Sequence, residues 1–232
     1  DEEGAIDHCQ NLDYVNWEEE GTTLLLARNV YLLSAYTRYL RANGITYTMR
    51  GGHSSVKTAH VAAIVAWETL RKGDAITARQ AKQIYDLLKI GKAVKRGAKT
   101  SIGREHDETL LSVNELRERF GLLDTSAIWH DALEGIDLDT REFYLSVLRK
   151  GNKLTSPPRV SINTIHGVKG GEADHVVILS DMSYRTYREY QNTATVDNEH
   201  RVAYVGVTRA KKRLTIVQPS SQFSYPYSRD ML

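Results

Sequence analysis

Apolar positions along this chain change period twice. Ala5 to Trp17 carries Ile6, Cys9 and Leu12 at helical spacing, and Thr22 to Ala27 is an unbroken apolar run of the kind found in strands covered on both faces of a parallel sheet. Val30, Leu33, Thr37 and Leu40 form a helical stripe halted at Asn43-Gly44. Ile45, Tyr47 and Met49 then alternate as a strand ending at Gly51-Gly52. Strand, helix, strand in this order predicts a right-handed parallel crossover. For about a hundred residues the period is then helical only. Val56, Ala59, His60, Ala63, Ile64, Trp67 and Leu70 make one stripe. Thr77-Ala78-Arg79-Gln80 and Ser112-Val113-Asn114-Glu115 each read as a capping box opening a helix, and two more helices are expected over Ser126 to Ile136 and Thr140 to Arg149. Ser156-Pro157-Pro158 closes this stretch. Strand patterns return at Arg159 to Asn163 and Val176 to Ser180, followed by a helix from Asn198 to Ala210 and a strand from Leu214 to Val217, before Pro219. The expected fold class is therefore α/β, with one parallel-sheet domain from residues 1–52 and 159–232 interrupted by an all-α insertion, residues 53–158.

Two stretches carry candidate chemistry. Val202 to Val217 places Arg209 where a helix gives way to a strand, a position from which a guanidinium can reach a phosphate; on spacing alone, a basic cluster after an apolar helix is usually a solvated helix end. Between two strand-like segments lies Thr164-Ile165-His166-Gly167-Val168-Lys169-Gly170-Gly171-Glu172, where three glycines in five positions permit a sharp turn and close approach to a ligand. Taken alone, this is also the composition of an ordinary surface turn.

Together these stretches resemble motifs V (T-x-H-x-x-K-G-L-E) and VI (L-x-Y-V-[AG]-x-T-R-A) of the UvrD/Rep-type superfamily 1 DNA helicases. Leu24-Leu25-Leu26-Ala27-Arg28-Asn29 resembles motif IV of that family, and Ile45 to Gly52 the strand and glycine pair that follow it. The resemblance implies that the interrupted sheet is the second RecA-like motor domain, 2A, and that the helical insertion corresponds to domain 2B. It implies further that Arg209 is an arginine finger and Arg28 the motif IV arginine, both aimed at the γ-phosphate of ATP. Glu172 would bind the ribose, Gly170 would give close backbone approach, Lys169 would support the loop, and Thr164 and His166 would face single-stranded DNA. Arginine suits such roles because its planar, permanently charged fork makes paired hydrogen bonds to phosphate oxygens. On this reading Arg28, Glu172 and Arg209 converge on one edge of the sheet. Two positions depart from the family pattern: Ala27 stands where an aromatic residue often stacks on adenine, and Gly171 replaces the usual leucine.

The 232 residues contain no G-x-x-x-x-G-K-[ST] loop and no strand ending in Asp-Glu placed to hold magnesium. The resemblance therefore implies the C-terminal half of an ATP-dependent DNA helicase. ATP and Mg2+ would be held mainly by an N-terminal RecA-like domain of a longer parent, and no metal or cofactor is expected on this chain alone. A start at Asp1 without methionine fits a processed product or fragment. A stand-alone DNA- or partner-binding module that kept the fold without motor function is the competing reading, and sequence upstream of Asp1 discriminates between them.

Charge adds one feature. The net charge is only +2, but Lys89 to Arg104 carries Lys89, Lys92, Lys95, Arg96, Lys99 and Arg104 without an acid. That stretch, above all Lys92, Lys95, Arg96 and Lys99, suits a mobile loop on duplex phosphates, or else a solvated disordered connection. Tyr184, Tyr187 and Tyr190, alternating with Arg185 and Arg188, are either base-stacking or one inward-packed helix face. Cys9 is the single cysteine, so no internal disulfide forms, and no apolar stretch is long enough to span a bilayer. A cytoplasmic location without membrane contact is expected.

Overall fold

A computed structural model describes residues 4–227 except 19, 50 and 169. The chain divides into two compact units, residues 1–55 with 157–232, and residues 56–156; the sequence pattern put the junctions at 52/53 and 158/159.

The first unit begins with a correction. Ala5–Cys9 is a strand, β1, and only a short 3-10 turn at Leu12–Tyr14 follows it. The Ile6, Cys9, Leu12 spacing is coincidental with a helix: β1 is an edge strand, exposed along most of its length and held by parallel pairing on one side. β2 (Thr23–Ala27) is buried at every position, as its uninterrupted apolar run requires. Helix α1 (Leu33–Ala42) and strands β3 (Tyr47–Met49) and β4 (His53–Ser54) complete this segment.

The second unit contains α2 (Thr58–Arg71), β5 (Ile76–Thr77), α3 (Ala78–Leu87), α4 (Ala98–Gly103), β6 (Leu110–Leu111), α5 (Val113–Phe120), α6 (Trp129–Ala132) and α7 (Leu138–Arg149). Both capping boxes form: Thr77 with Gln80, and Ser112 with Glu115. The unit is mostly helical but not all-α, because β5 and β6 pair antiparallel immediately before the two boxed helices. Two-residue strands are too short to leave a period in the sequence. The basic stretch from Lys89 to Arg104 is also folded. Lys95 N donates to Gly121 O and Leu123 N to Ala93 O, while Val94 and Ile102 are buried in the helical core. It is therefore neither a mobile loop nor a disordered connection.

The chain then returns to the first unit with β7 (Val160–Thr164), β8 (Ala173–Leu179), α8 (Tyr184–Tyr190), α9 (Val196–Val207) and β9 (Ala210–Val217). The seven strands run in the order β1-β9-β8-β2-β7-β3-β4, parallel throughout except for the β3–β4 pair. On one face, α1 covers a core that includes Leu25, Ala27, Val160, Val177 and Leu179. The opposite face, with Leu24, Leu26, Val176 and Ile178, packs against α9 and the turn after β7. Tyr187 and Tyr190 pack inward against Phe223 and Tyr225, leaving Tyr184 as the exposed member of the tyrosine series. The helix-face alternative is the one realised.

β2 and β8 are joined at their entries by Asp174, whose Oδ2 accepts from the Thr22 amide and hydroxyl, both at 2.9 Å. These donors hold the Asp174 carboxyl below the ordinary carboxylate range. A carboxyl depressed by folding stabilises the native state fully above its unfolded pKa, about 3.9. That contribution disappears as pH falls through the lower native value. Asp174→Asn should therefore flatten the pH dependence of unfolding below about pH 4; an unchanged acid limb in denaturant titrations would remove this role.

Candidate functional site

Because the strands are parallel, a residue that follows a strand and one that precedes a strand lie at opposite edges. Arg28 follows β2 and, by the register Leu26 with Ile178, sits level with Ser180 beyond the end of β8. Glu172 precedes β8, and Arg209 precedes β9. The seven residues of β8 separate the two levels, roughly 23 Å at about 3.3 Å per residue. The expected convergence of Arg28, Glu172 and Arg209 on one edge does not occur. Glu172 and Arg209 share the entry edge, whereas Arg28 shares the exit edge with Thr164 and His166.

At the entry edge, the Ala173 amide donates to Arg209 O at 3.1 Å, which ties the glycine-rich loop to the α9–β9 junction. Gly170 adopts φ +77°, a conformation open to glycine, and open space lies where its Cβ would be. Gly171, which stands in place of leucine, would bring a Cβ within 2.9 Å of the Val168 side chain; Val168 is buried and fills that space. Lys169 lies outside the described residues. Helix α9 turns Glu199, Val202, Ala203 and Gly206 towards the sheet. Gly206 permits the approach, since a Cβ there would stand 3.2 Å from Ile178 Cδ1 and 3.3 Å from Ile165 Cδ1.

The cations after α9 differ in their partners. Lys211 pairs with Glu172 at 3.7 Å, Lys212 with Asp174 at 3.7 Å and Arg213 with Asp7 at 3.4 Å. Arg209 has no carboxylate partner among the described residues. Its Nε donates to Val205 O at 3.0 Å, at the negative end of its own helix, and Nη2 lies 3.5 Å from Thr208 Oγ1. Its guanidinium charge is thus not balanced by a carboxylate among the described residues, unlike the charges of Lys211, Lys212 and Arg213.

At the exit edge, Arg28 donates from Nε and Nη2 to the two carboxylate oxygens of Glu199, each at 2.7 Å. Thr164 is buried, and its Oγ1 accepts from the Gly167 amide at 3.1 Å. Its side chain therefore caps the 3-10 turn, whereas His166, on that turn, is exposed. Ala27 is fully buried in the sheet core. Glu199 escaped the sequence reading, although an acid on the sheet-facing stripe of α9 was a legible anomaly.

A third feature lies on the sheet face. Thr22, Thr48, Gly51, Gly52, Asn163 and Glu172 are among the residues lining a groove of about 370 Å3. It brings the glycine pair after β3 beside the glycine-rich loop, and Thr48 Oγ1 meets Ser161 Oγ at 3.0 Å within it. In the helical unit, Lys92 is ion-paired with Glu134, and Lys99 Nζ donates to Asp86 O. Lys95 and Arg96 are exposed and make no ion pair among the described residues. Among the described residues no cluster of side chains has the composition of a metal site, and no helix is long and apolar enough to cross a membrane.

A parallel sheet flanked by helices, interrupted by a helical unit and carrying a glycine-rich loop beside an unpaired arginine, is the architecture of a RecA-like helicase domain. The UvrD-like helicase C-terminal domain family matches residues 68–221, and the chain belongs to that family. The matched segment includes Thr164, His166, Glu172 and Arg209, whereas Arg28 lies before it. The chain is 34% identical over 82 residues to DNA helicase II of Haemophilus influenzae, across 34% of this chain and 11% of that protein. It is 30% identical over 95 residues to ATP-dependent DNA helicase Rep of Escherichia coli, across 37% of this chain and 14% of that one. The aligned parts of this chain thus span a small fraction of either relative.

Proposed function

We propose that the chain is the C-terminal motor part of an ATP-dependent DNA helicase or translocase. Its entry edge meets ATP and Mg2+ held by an N-terminal RecA-like domain of the parent, and its exit edge and sheet-face groove meet single-stranded DNA. The observation that carries this reading is Arg209: it stands beside three cations that have acidic partners, has none itself among the described residues, and is tied next to Glu172 through the bond from the Ala173 amide to Arg209 O. Bound ATP would supply the phosphoanhydride to be cleaved. Arg209 would offer its outward N–H groups to phosphate oxygens, and Glu172, whose 3.7 Å contact with Lys211 is long enough to yield, would accept from a ribose hydroxyl. Arg28, on the other edge, reaches a different phosphate from the one Arg209 reaches. Thr164 serves by holding the turn that presents His166.

The 232 residues lack a Walker loop, so the isolated chain is expected to hydrolyse no ATP above background, whereas the parent shows DNA-stimulated turnover. Robust DNA-stimulated turnover by the pure chain would overturn the division of labour proposed here. In the helical unit, Lys95 and Arg96 are exposed, make no ion pair among the described residues, and would meet duplex phosphates. Replacing both with alanine should weaken duplex binding at all sequences and reduce the slope of log K against log salt by about 2. An unchanged slope would exclude them from the interface.

A further inference from the structure

The exit edge holds an arrangement that the motor reading does not explain. Arg28 is fixed along its whole length. Its backbone leaves the β2 ladder and is followed at once by Asn29, whose Oδ1 accepts from the Ser183 amide at 2.8 Å and whose Nδ2 donates to Thr186 Oγ1 at 3.2 Å. The guanidinium is then gripped by Glu199 through two bonds of 2.7 Å. Glu199 itself is 5% exposed, so its carboxylate has no easy route to water. The pair lies beside Ile165, Val202, Tyr225 and Tyr227, a lining that strengthens its attraction.

A guanidinium has five N–H donors in one plane, and Glu199 takes two of them, on the Nε–Nη2 edge. Nη1 makes no hydrogen bond among the described residues, yet it is not among the sealed, unsatisfied nitrogens of the core, so it touches solvent. Releasing Arg28 from Glu199 to meet a ligand would strand a buried carboxylate, which is strongly unfavourable. Arg28 must therefore work while paired, through the edge that Glu199 leaves free.

We propose that Glu199 is a positioning residue, which clamps the inner edge of Arg28 and turns the Nη1 edge outward as a rigid phosphate-binding fork at the exit edge of the sheet. The proposal rests on the motor reading for the presence of phosphates. At this edge the backbone of the DNA strand passing His166 offers that chemistry, and a nucleotide phosphate, which the motor reading puts at the opposite edge, is the other source the test distinguishes.

The test uses the full-length helicase that carries this chain, with Arg28→Ala, Arg28→Lys, Glu199→Gln and the Arg28→Ala/Glu199→Gln double variant. Three quantities are measured: kcat and KM for ATP, the single-stranded DNA dissociation constant across a salt series, and the melting temperature. Arg28→Ala is expected to depress one of the two functional readouts. Glu199→Gln should depress the same one by about 10–100-fold, the usual size for a partner that orients a functional group. The double variant should be no worse than Arg28→Ala alone. Arg28→Lys keeps a charge for Glu199 and most of the stability, but has no second edge and should lose the function. A fall in kcat/KM for ATP identifies nucleotide phosphate; weaker DNA binding with a salt slope smaller by about 1 identifies the strand. Loss of melting temperature in Glu199→Gln with both functional readouts intact overturns the proposal, as does full function in Arg28→Lys. If Arg28→Ala changes neither readout while Arg209→Ala still abolishes turnover, the fork is wrong and the motor reading stands. If neither arginine matters, the motor reading fails with it.

Discussion

Arg209→Ala in the parent helicase is expected to lower ATP turnover by about a thousandfold or more, while single-stranded DNA affinity stays largely unchanged. The size follows from the role proposed for the guanidinium: a fixed positive group beside a transferring phosphoryl would stabilise charge that develops in the transition state, where the surroundings are already arranged and water is excluded. Arg209 meets the local requirements. It stands at a helix-to-strand junction, its Nε is anchored on Val205 O, and among the described residues no carboxylate pairs with it, unlike Lys211, Lys212 and Arg213 beside it. Lysine should rescue little, because an ammonium lacks the planar fork. DNA affinity is spared because the entry edge lies some seven strand residues from His166. Turnover within tenfold of the unmodified enzyme, with the loss confined to KM, would assign Arg209 to ground-state binding and remove it from the catalytic step.

How much of this was legible from sequence depends on the kind of signal. β2 declared itself by an apolar run that only a doubly covered strand tolerates, and the two capping boxes formed at Thr77 and Ser112 because their reciprocal bonds are local. β1 misled, since an exposed edge strand has no buried face to impose alternation, and Ile6, Cys9 and Leu12 fell at helical spacing by chance. β5 and β6 left no period because each is two residues long. The separation of Arg28 from Arg209 was readable in principle: one follows its strand and the other precedes its own, and parallel order places those positions at opposite edges. Motif resemblance grouped them by chemistry, which carries no direction. Glu199 stood on the sheet-facing stripe of α9, but its partner lies 171 residues away in sequence and no local rule connects them.

The helix expected from Ser126 to Ile136 shortens to Trp129–Ala132, and the cause leads to the second large effect. Helix α2 claims the backbone that would have opened it. Trp67 Nε1 donates to Ala127 O at 2.9 Å, Glu68 Oε1 accepts from the Trp129 amide at 3.0 Å, and Arg71 Nη2 reaches Ser126 O at 3.4 Å. Trp67 is also among the largest fully buried side chains, 1% exposed in the core of the helical unit. Trp67→Ala should therefore destabilise that unit by about 4 kcal/mol, from lost transfer free energy and the cavity left behind. The orphaned Ala127 carbonyl would add to the cost if water cannot reach it. For a unit of this size the fall in Tm is roughly 16 °C or more. Trp67→Phe should recover much of the packing but not the bond to Ala127. Calorimetry separates the cases: a drop below about 5 °C for Trp67→Ala would mean that the neighbouring side chains collapse into the space, and that α2 does not clamp the 126–129 segment. If the clamp is real, amide exchange at Trp129 should accelerate in Trp67→Ala well beyond its rise in Trp67→Phe, because the Glu68 bond to that amide depends on the helix staying seated.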